Sequence, residues 1–209
     1  GMYMFAVLLL IAAALYTLSV SIWRGPWRDM WEAMPFIAKA IAGQATWLDY
    51  WDQYGYSHRP LVSRFFWMAD ARWFAGSNAL LLAVSVAMQS MVYFAVRAVL
   101  RRDATFTADE RCIVLVGVLF CLYNITQVFN FLHTFDVQWF LVTGFVGLSL
   151  ERMLANSEQK KNSRLVIAWL CVLIASLNNF SALVIWPVEI LLLLALRFPV
   201  LQVAGFSAA

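Results

Sequence analysis

The chain has 209 residues, of which 63% are hydrophobic and 13% charged, with a formal net charge of +3 and a mean hydropathy of +0.74. That balance lies far outside the range of water-soluble domains and predicts an integral membrane protein. No long basic run is present, so the small positive charge is expected to follow from membrane topology, with no nucleic-acid partner.

In chain order, apolar runs near the bilayer-spanning length of about 20 residues recur at 2–20, 79–99, 112–131, 137–154, 165–177 and 183–196. The expected fold is an all-α polytopic membrane protein with about six transmembrane helices in a single transmembrane domain, 1–209. A long, helical first extracytoplasmic loop, 21–76, separates the first two runs. The first run is longer than the apolar region of a secretory signal and lacks a clear cleavage site, which predicts an uncleaved helix. The start, GMYM, carries no basic residue before that helix, and the end, LQVAGFSAA, has no polar tail. The chain is therefore expected to be the N-terminal part of a longer protein.

Short cytoplasmic loops hold Lys and Arg in excess. Arg97, Arg101, Arg102 and Arg111 bracket the connection between the second and third runs, and Arg152, Lys160, Lys161 and Arg164 bracket the one between the fourth and fifth. Both connections are predicted to be cytoplasmic. The N-terminus is then cytoplasmic, the loop 21–76 extracytoplasmic, and the chain is expected to end inside near Arg197.

Within the long loop, Met30, Met34, Ile37 and Ile41 recur at helical spacing after Asp29, with Gly43 as a stop and Pro35 limiting the first turns. Pro60 suits the first turn of a second helix running to about Phe74, with Gly76 after it. On that helix Phe65, Phe66, Trp67, Trp73 and Phe74 are expected to place their rings in the headgroup zone. Between the two helices, 46–57 is rich in Trp and Tyr without apolar periodicity and reads as an ordered surface loop.

This loop carries the candidate chemistry. Asp29 and Glu32 fall three residues apart, so on a helix both carboxylates share a face. A carboxylate partly desolvated against Trp31 would hold a proton more tightly and could take one from an acceptor hydroxyl. The plainer account is two acids stabilising a helix N-terminus. Asp49, Asp52, His58, Arg59 and Arg64 form a second cluster of mixed sign. Arg59 and Arg64 could hold phosphate oxygens, with His58 donating to the same group. The plainer account there is interfacial snorkelling and an Asp–Arg salt bridge.

Taken in order, Asp29-Met-Trp-Glu32, a surface helix ending near a Gly, a Trp/Tyr-rich turn and His58-Arg-Pro-Leu61 resemble the N-terminal module of the GT-C membrane glycosyltransferases. That class includes protein O-mannosyltransferases and lipid A aminoarabinose transferases. Its members often carry Lys-Pro-Pro where this chain has His-Arg-Pro, and their acids are often adjacent rather than three apart. Complete members carry further spans and usually a soluble C-terminal region. The resemblance implies a bacterial inner-membrane enzyme transferring a sugar from a polyprenyl-phosphate donor to an acceptor on the extracytoplasmic face. Asp29, then Glu32, would act as general base or help bind a divalent cation, which some members use and others do not. Asp49, Asp52, His58, Arg59 and Arg64 would bind the substrate.

The contrasting reading is a transporter or non-catalytic scaffold. Glu189 falls near mid-bilayer in the last run, where a carboxylate must be protonated, paired or reached by water. No intramembrane base in the other runs matches it, which favours a packing role. Asn124, Gln127, Asn130, Asn178 and Asn179 suit interhelical hydrogen bonds. His133 and Asp136 lie in an external turn on the same side as the long loop. Cys112, Cys121 and Cys171 have no paired spacing and are expected to be small buried hydrophobes.

Overall fold

In the computed structural model, which describes residues 5, 9, 12, 13, 15, 16, 19, 30–52, 60–123, 130, 131, 133, 136–157 and 160–207, the first continuous element is helix α1, Met30–Ile41. It ends where expected. Gly43, at φ +70°, lets Gly43 N–H reach Ala40 O and Gln44 N–H reach Lys39 O, so the last carbonyls are satisfied. Its buried face is Ala33, Ile37 and Ala40, whereas Ile41 of the expected stripe is 51% exposed. Ala33 and Ile37 of that face pack into one core with Trp67.

A short helix, α2 (Trp47–Trp51), stands inside the stretch expected to be a loop. Thr46 and Asp49 nucleate it by a reciprocal capping box, Asp49 accepting from Thr46 N–H at 2.6 Å and from its hydroxyl at 2.7 Å. Helix α3 (Leu61–Trp73) follows Pro60, and its last turn closes through Ala75 and Gly76, both at positive φ. Trp67 departs from the expected headgroup position: it is 1% exposed, at the centre of a core with Ala33, Ile37, Leu81, Val137 and Leu141. Of the other large rings of α3, Phe66 is half-buried against the same core, whereas Phe65 and Trp73 are exposed as expected.

The bundle consists of α4 (Ala79–Arg102), α5 (Ala108–Tyr123), α6 (Val137–Ala155), α7 (Asn162–Ser176), a 3-10 turn (Phe180–Val184) leading into α8 (Ile185–Ala195), and α9 (Val200–Ser207). Helix α9 was not expected in the C-terminal stretch. Pro199 starts it by accepting from Gln202 N–H, and Val203 and Phe206 bury its inner face. Among the described residues no strand occurs.

Helix α6 is the spine, lying along α4 on one side and α7 on the other. Its approach to α4 is set by glycine. A Cβ at Gly144 would lie 2.9 Å from Met88 Sδ and 3.1 Å from Met88 O, and one at Gly147 would lie 3.4 Å from Val92. Small residues at such a seam give backbone-to-backbone packing. Two cores sit at opposite ends of α6: Val137 and Leu141 join α1, α3 and α4, while Met153 joins α7, α8 and α9 through Leu165, Ala168, Leu193 and Phe206. Leu141 and Met153 are separated along the helix by about 18 Å. At the second end Arg102 pairs with Glu151 at 2.5 Å, fastening α4 to α6.

Among the described residues α4 is the helix long and apolar enough to cross a membrane, by length and composition. Helices α7 and the Phe180–Ala195 unit are apolar but shorter. Helix α6 has the length, but Gln138 near its start and Glu151 and Arg152 near its end dilute its apolar character. The first predicted span is described only at isolated positions, all helical, and the third is described as helix to Tyr123.

Candidate functional site

The three loop helices form a cap over the end of the bundle where α4 and α6 begin. Tyr50 of α2 is its wedge, stacked on Phe65 of α3 with centroids 4.8 Å apart and edge-on to Phe36 of α1 at 5.0 Å. Its hydroxyl reaches Met68 Sδ at 2.9 Å. Aromatic packing of this kind holds three short elements that could not fold alone.

Within the cap, the structure brings Asp49, Asp52 and Arg64 together. Arg64 is buried, and its Nη1 donates to Asp49 O at 2.7 Å and to Tyr50 O at 2.9 Å, at the C-terminal end of α2. Its guanidinium also lies over the Phe36 ring, 5.1 Å from the centroid. Burial pulls the Arg64 guanidinium below its ordinary pKa, and the nearby Asp52 and Asp49 act in the opposite direction. Expected at a substrate phosphate, Arg64 here spends Nη1 on backbone carbonyls.

Asp49 is engaged as well. Lys39 Nζ sits 2.5 Å from its Oδ1 while Oδ2 takes the Thr46 bonds. The Lys39 hydrogen bond, then those from Thr46, hold the Asp49 carboxyl far below the usual carboxylate range. Sequence reading missed Lys39, because its partner lies ten residues away across the Gly43 turn. Asp52 is the exposed C-cap of α2. Glu32 lies exposed in the first turn of α1. Asp29, His58 and Arg59 lie outside the described residues.

Two buried polar residues also escaped sequence reading. Asp70, 1% exposed, accepts from Asn78 N–H and Leu80 N–H, each at 2.9 Å. Its charge meets the free N–H groups at the start of α4. Ser63 donates to Asn178 beyond the end of α7. Each polar side chain secures the cap to one helix of the bundle.

Beside the cap, a cavity of about 340 Å³ opens between α4 and α6, lined by Gln89, Asn130, Asp136, Trp139, Phe140 and Thr143. Phe140 stacks on Phe131 at 4.7 Å, forming one wall. Met88 packs against both this aromatic cluster and the Trp67 core, linking the aromatic wall of the cavity to the core under the cap. Asp136, which directly precedes α6, thus lies at the end of the bundle that carries the cap. A carboxylate, two amides, a hydroxyl and an indole at such a cavity suit a polyhydroxylated ligand. Gln89 and Thr143 carry no signal in the sequence beyond being polar within apolar runs.

Glu189 is fully buried at the α6–α7–α8 junction, with Ser149 Oγ 2.9 Å from its Oε2. Cys171 is buried as expected, but Cys112 is partly exposed and Cys121 exposed. Among the described residues no group of three or more His, Cys, Asp or Glu is placed to hold a metal ion. Comparison of the chain with protein-family models, curated proteins and solved structures finds no match.

Proposed function

We propose that the chain is a polytopic membrane protein of about six spans that transfers a sugar from a polyprenyl-phosphate donor to an acceptor on the extracytoplasmic face of a bacterial inner membrane. The observation that carries this reading is the joint position of the folded cap and the polar cavity with Asp136 at one end of the bundle. Support for membrane insertion comes from α4, long and apolar enough to cross, and from the large apolar side chains exposed on other helices, Ile113 and Phe120 on α5 and Leu191 and Leu194 on α8.

In this reading Asp29 takes the proton from the acceptor hydroxyl, and the oxygen attacks the anomeric carbon. The bond from that carbon to the phosphate oxygen breaks, and the electron pair leaves with the phosphate. His58 and Arg59 stabilise the departing charge. Glu32 supports the base from the first turn of α1. Asp49, Asp52 and Arg64 hold the cap that presents these groups. No metal is required by this scheme.

A second reading, a non-catalytic scaffold, is favoured by the engagement of Asp49 and Arg64 with protein groups. The two are separated by assaying membranes containing the full chain for transfer from a radiolabelled polyprenyl-phosphate hexose, wild type against Asp29→Asn. Transfer that drops at least a hundredfold in the variant, within the range for loss of a general base, supports the enzyme. Equal transfer removes Asp29 from the mechanism, and no transfer by either supports the scaffold.

A further inference from the structure

At the opposite end of the bundle, α4 and α5 flank a cleft of about 370 Å³ whose lining includes Arg97, Arg101 and Arg111 and, among the described residues, no acid. Helical spacing builds it. Tyr93, Arg97 and Arg101 follow one another at intervals of four on α4, and Arg111, Leu115 and Leu119 face them along α5. Three guanidiniums thus crowd the mouth, and aromatic and aliphatic side chains continue inward from Arg111 to Leu119 for about 12 Å.

Of the nearby described acids, Asp109 is exposed in the first turn of α5 and does not line the cleft, and three others are committed elsewhere. Asp103 takes the N–H and hydroxyl of Thr105 at 2.9 and 2.6 Å, and Glu110 takes those of Thr107 at 2.8 Å each. These bonds hold both carboxyls below the usual range, keeping them as anions within their own turns. Glu151 is taken by Arg102. Among the described residues neither Arg97 nor Arg101 forms an ion pair. Arg111 is fixed by a 2.8 Å bond from Nη2 to Asp103 O, and its buried Nε has no acceptor among the described residues.

We propose that this cleft binds an anionic phospholipid, with Arg97, Arg101 and Arg111 on the headgroup phosphate and the apolar faces of α4 and α5 along an acyl chain. Charge alone would fit a free anion equally well. The apolar wall below the arginines is what selects a lipid, since a soluble phosphate would leave Leu115 and Leu119 uncovered. Basic pockets between helices on the cytoplasmic side are suited to anionic headgroups. This inference rests on the membrane reading above but not on glycosyl transfer.

The test uses the full chain purified in a neutral detergent, with phosphatidylglycerol, phosphatidylcholine or glycerol 3-phosphate added and bound lipid counted by native mass spectrometry. Phosphatidylglycerol is expected to bind about tenfold more tightly than phosphatidylcholine. The Arg97→Gln/Arg101→Gln double variant is expected to lose that preference, and Arg97→Lys/Arg101→Lys to keep it. Thermal unfolding in detergent alone checks that both variants fold. Equal binding of the two lipids, or a preference unchanged in the Gln variant, overturns the inference. Stabilisation by glycerol 3-phosphate equal to that by phosphatidylglycerol makes the cleft a free-anion site and overturns it too. Release of the chain from membranes by alkaline carbonate would overturn the membrane reading itself, a result distinct from an integral chain without lipid preference.

Discussion

Ser63 gives both its backbone N–H and its hydroxyl to Asn178 Oδ1, at 3.1 and 2.7 Å, and Asn178 Nδ2 in turn donates to Gln138 O at 2.7 Å. One buried amide, 115 residues from Ser63, therefore links the cap helix α3 to α6 and to the turn after α7. Asn178→Ala removes the acceptor and strands the buried Ser63 donors. The expected loss is about 2–4 kcal/mol, since unsatisfied buried groups cost more than the bonds were worth. Ser63→Ala deletes only the hydroxyl bond and is expected to cost about 1 kcal/mol. Thermal unfolding in detergent, with limited proteolysis of the cap, measures both. A larger loss for Ser63→Ala than for Asn178→Ala would contradict this link.

The seam between α4 and α6 predicts a sharp difference between two glycines. At Gly144 a methyl group meets Met88 O at 3.1 Å, a backbone atom that cannot move aside, as well as Met88 Sδ at 2.9 Å, which can. Gly144→Ala is expected to cost about 1–3 kcal/mol by overpacking. At Gly147 the nearest atom is a Val92 methyl at 3.4 Å, an ordinary contact, and Gly147→Ala is expected to be neutral or slightly stabilising because alanine favours helix. Removing the sulfur with Met88→Ala should not rescue Gly144→Ala. Full rescue would show that the side chain, not the backbone, sets the helix separation.

Acid should loosen the cap through Asp49. Its carboxyl is held far below the usual range by Lys39 first and Thr46 next. A depressed folded pKa means that the carboxylate stabilises the cap fully above the ordinary value of about 3.9. That contribution is lost as pH falls from there towards the folded value. Trp47 fluorescence followed through an acid titration should report the loosening in wild type, and Asp49→Asn should lack that component. Superimposable titrations would mean that the Lys39–Asp49 pair does not hold α2.

The helix ends were legible because they are marked by residues with narrow backbone preferences. Gly43 and Gly76 occupy positive φ, and Pro60 directly precedes α3. The faces were less legible. Periodicity on α1 finds Ile37, which is buried, and Met34, which packs on the core, but it also selects the exposed Ile41 and passes over Ala33 and Ala40, which are buried. Trp67 itself is indistinguishable in sequence from the exposed rings around it. Of the candidate site, the sequence shows the acids and bases of the loop but not their partners. Lys39, Asn178 and Asp70 act across turns or between distant segments, and no local pattern encodes such pairings. Helix α2 was hidden because its helicity depends on the Thr46–Asp49 capping box rather than on an apolar stripe.

Glu189 separates a packing role from proton-coupled transport. Ser149 Oγ lies 2.9 Å from Glu189 Oε2 and 3.0 Å from Ala168 O. A hydroxyl has one hydrogen and can donate to only one of these two acceptors. A protonated carboxyl satisfies both contacts, giving its hydrogen to Ser149 while Ser149 gives its own to Ala168. Glutamine can reproduce that donation, so Glu189→Gln is expected to change thermal stability by less than about 1 kcal/mol. Glu189→Lys forces a cation into the same enclosed junction and is expected to prevent folding, because a buried unpaired charge costs several kcal/mol. A transporter that cycles a proton through Glu189 would fold normally as Glu189→Gln yet lose all uptake. Proton-driven uptake into vesicles containing the wild-type chain, abolished in Glu189→Gln, is the outcome that would assign Glu189 to transport.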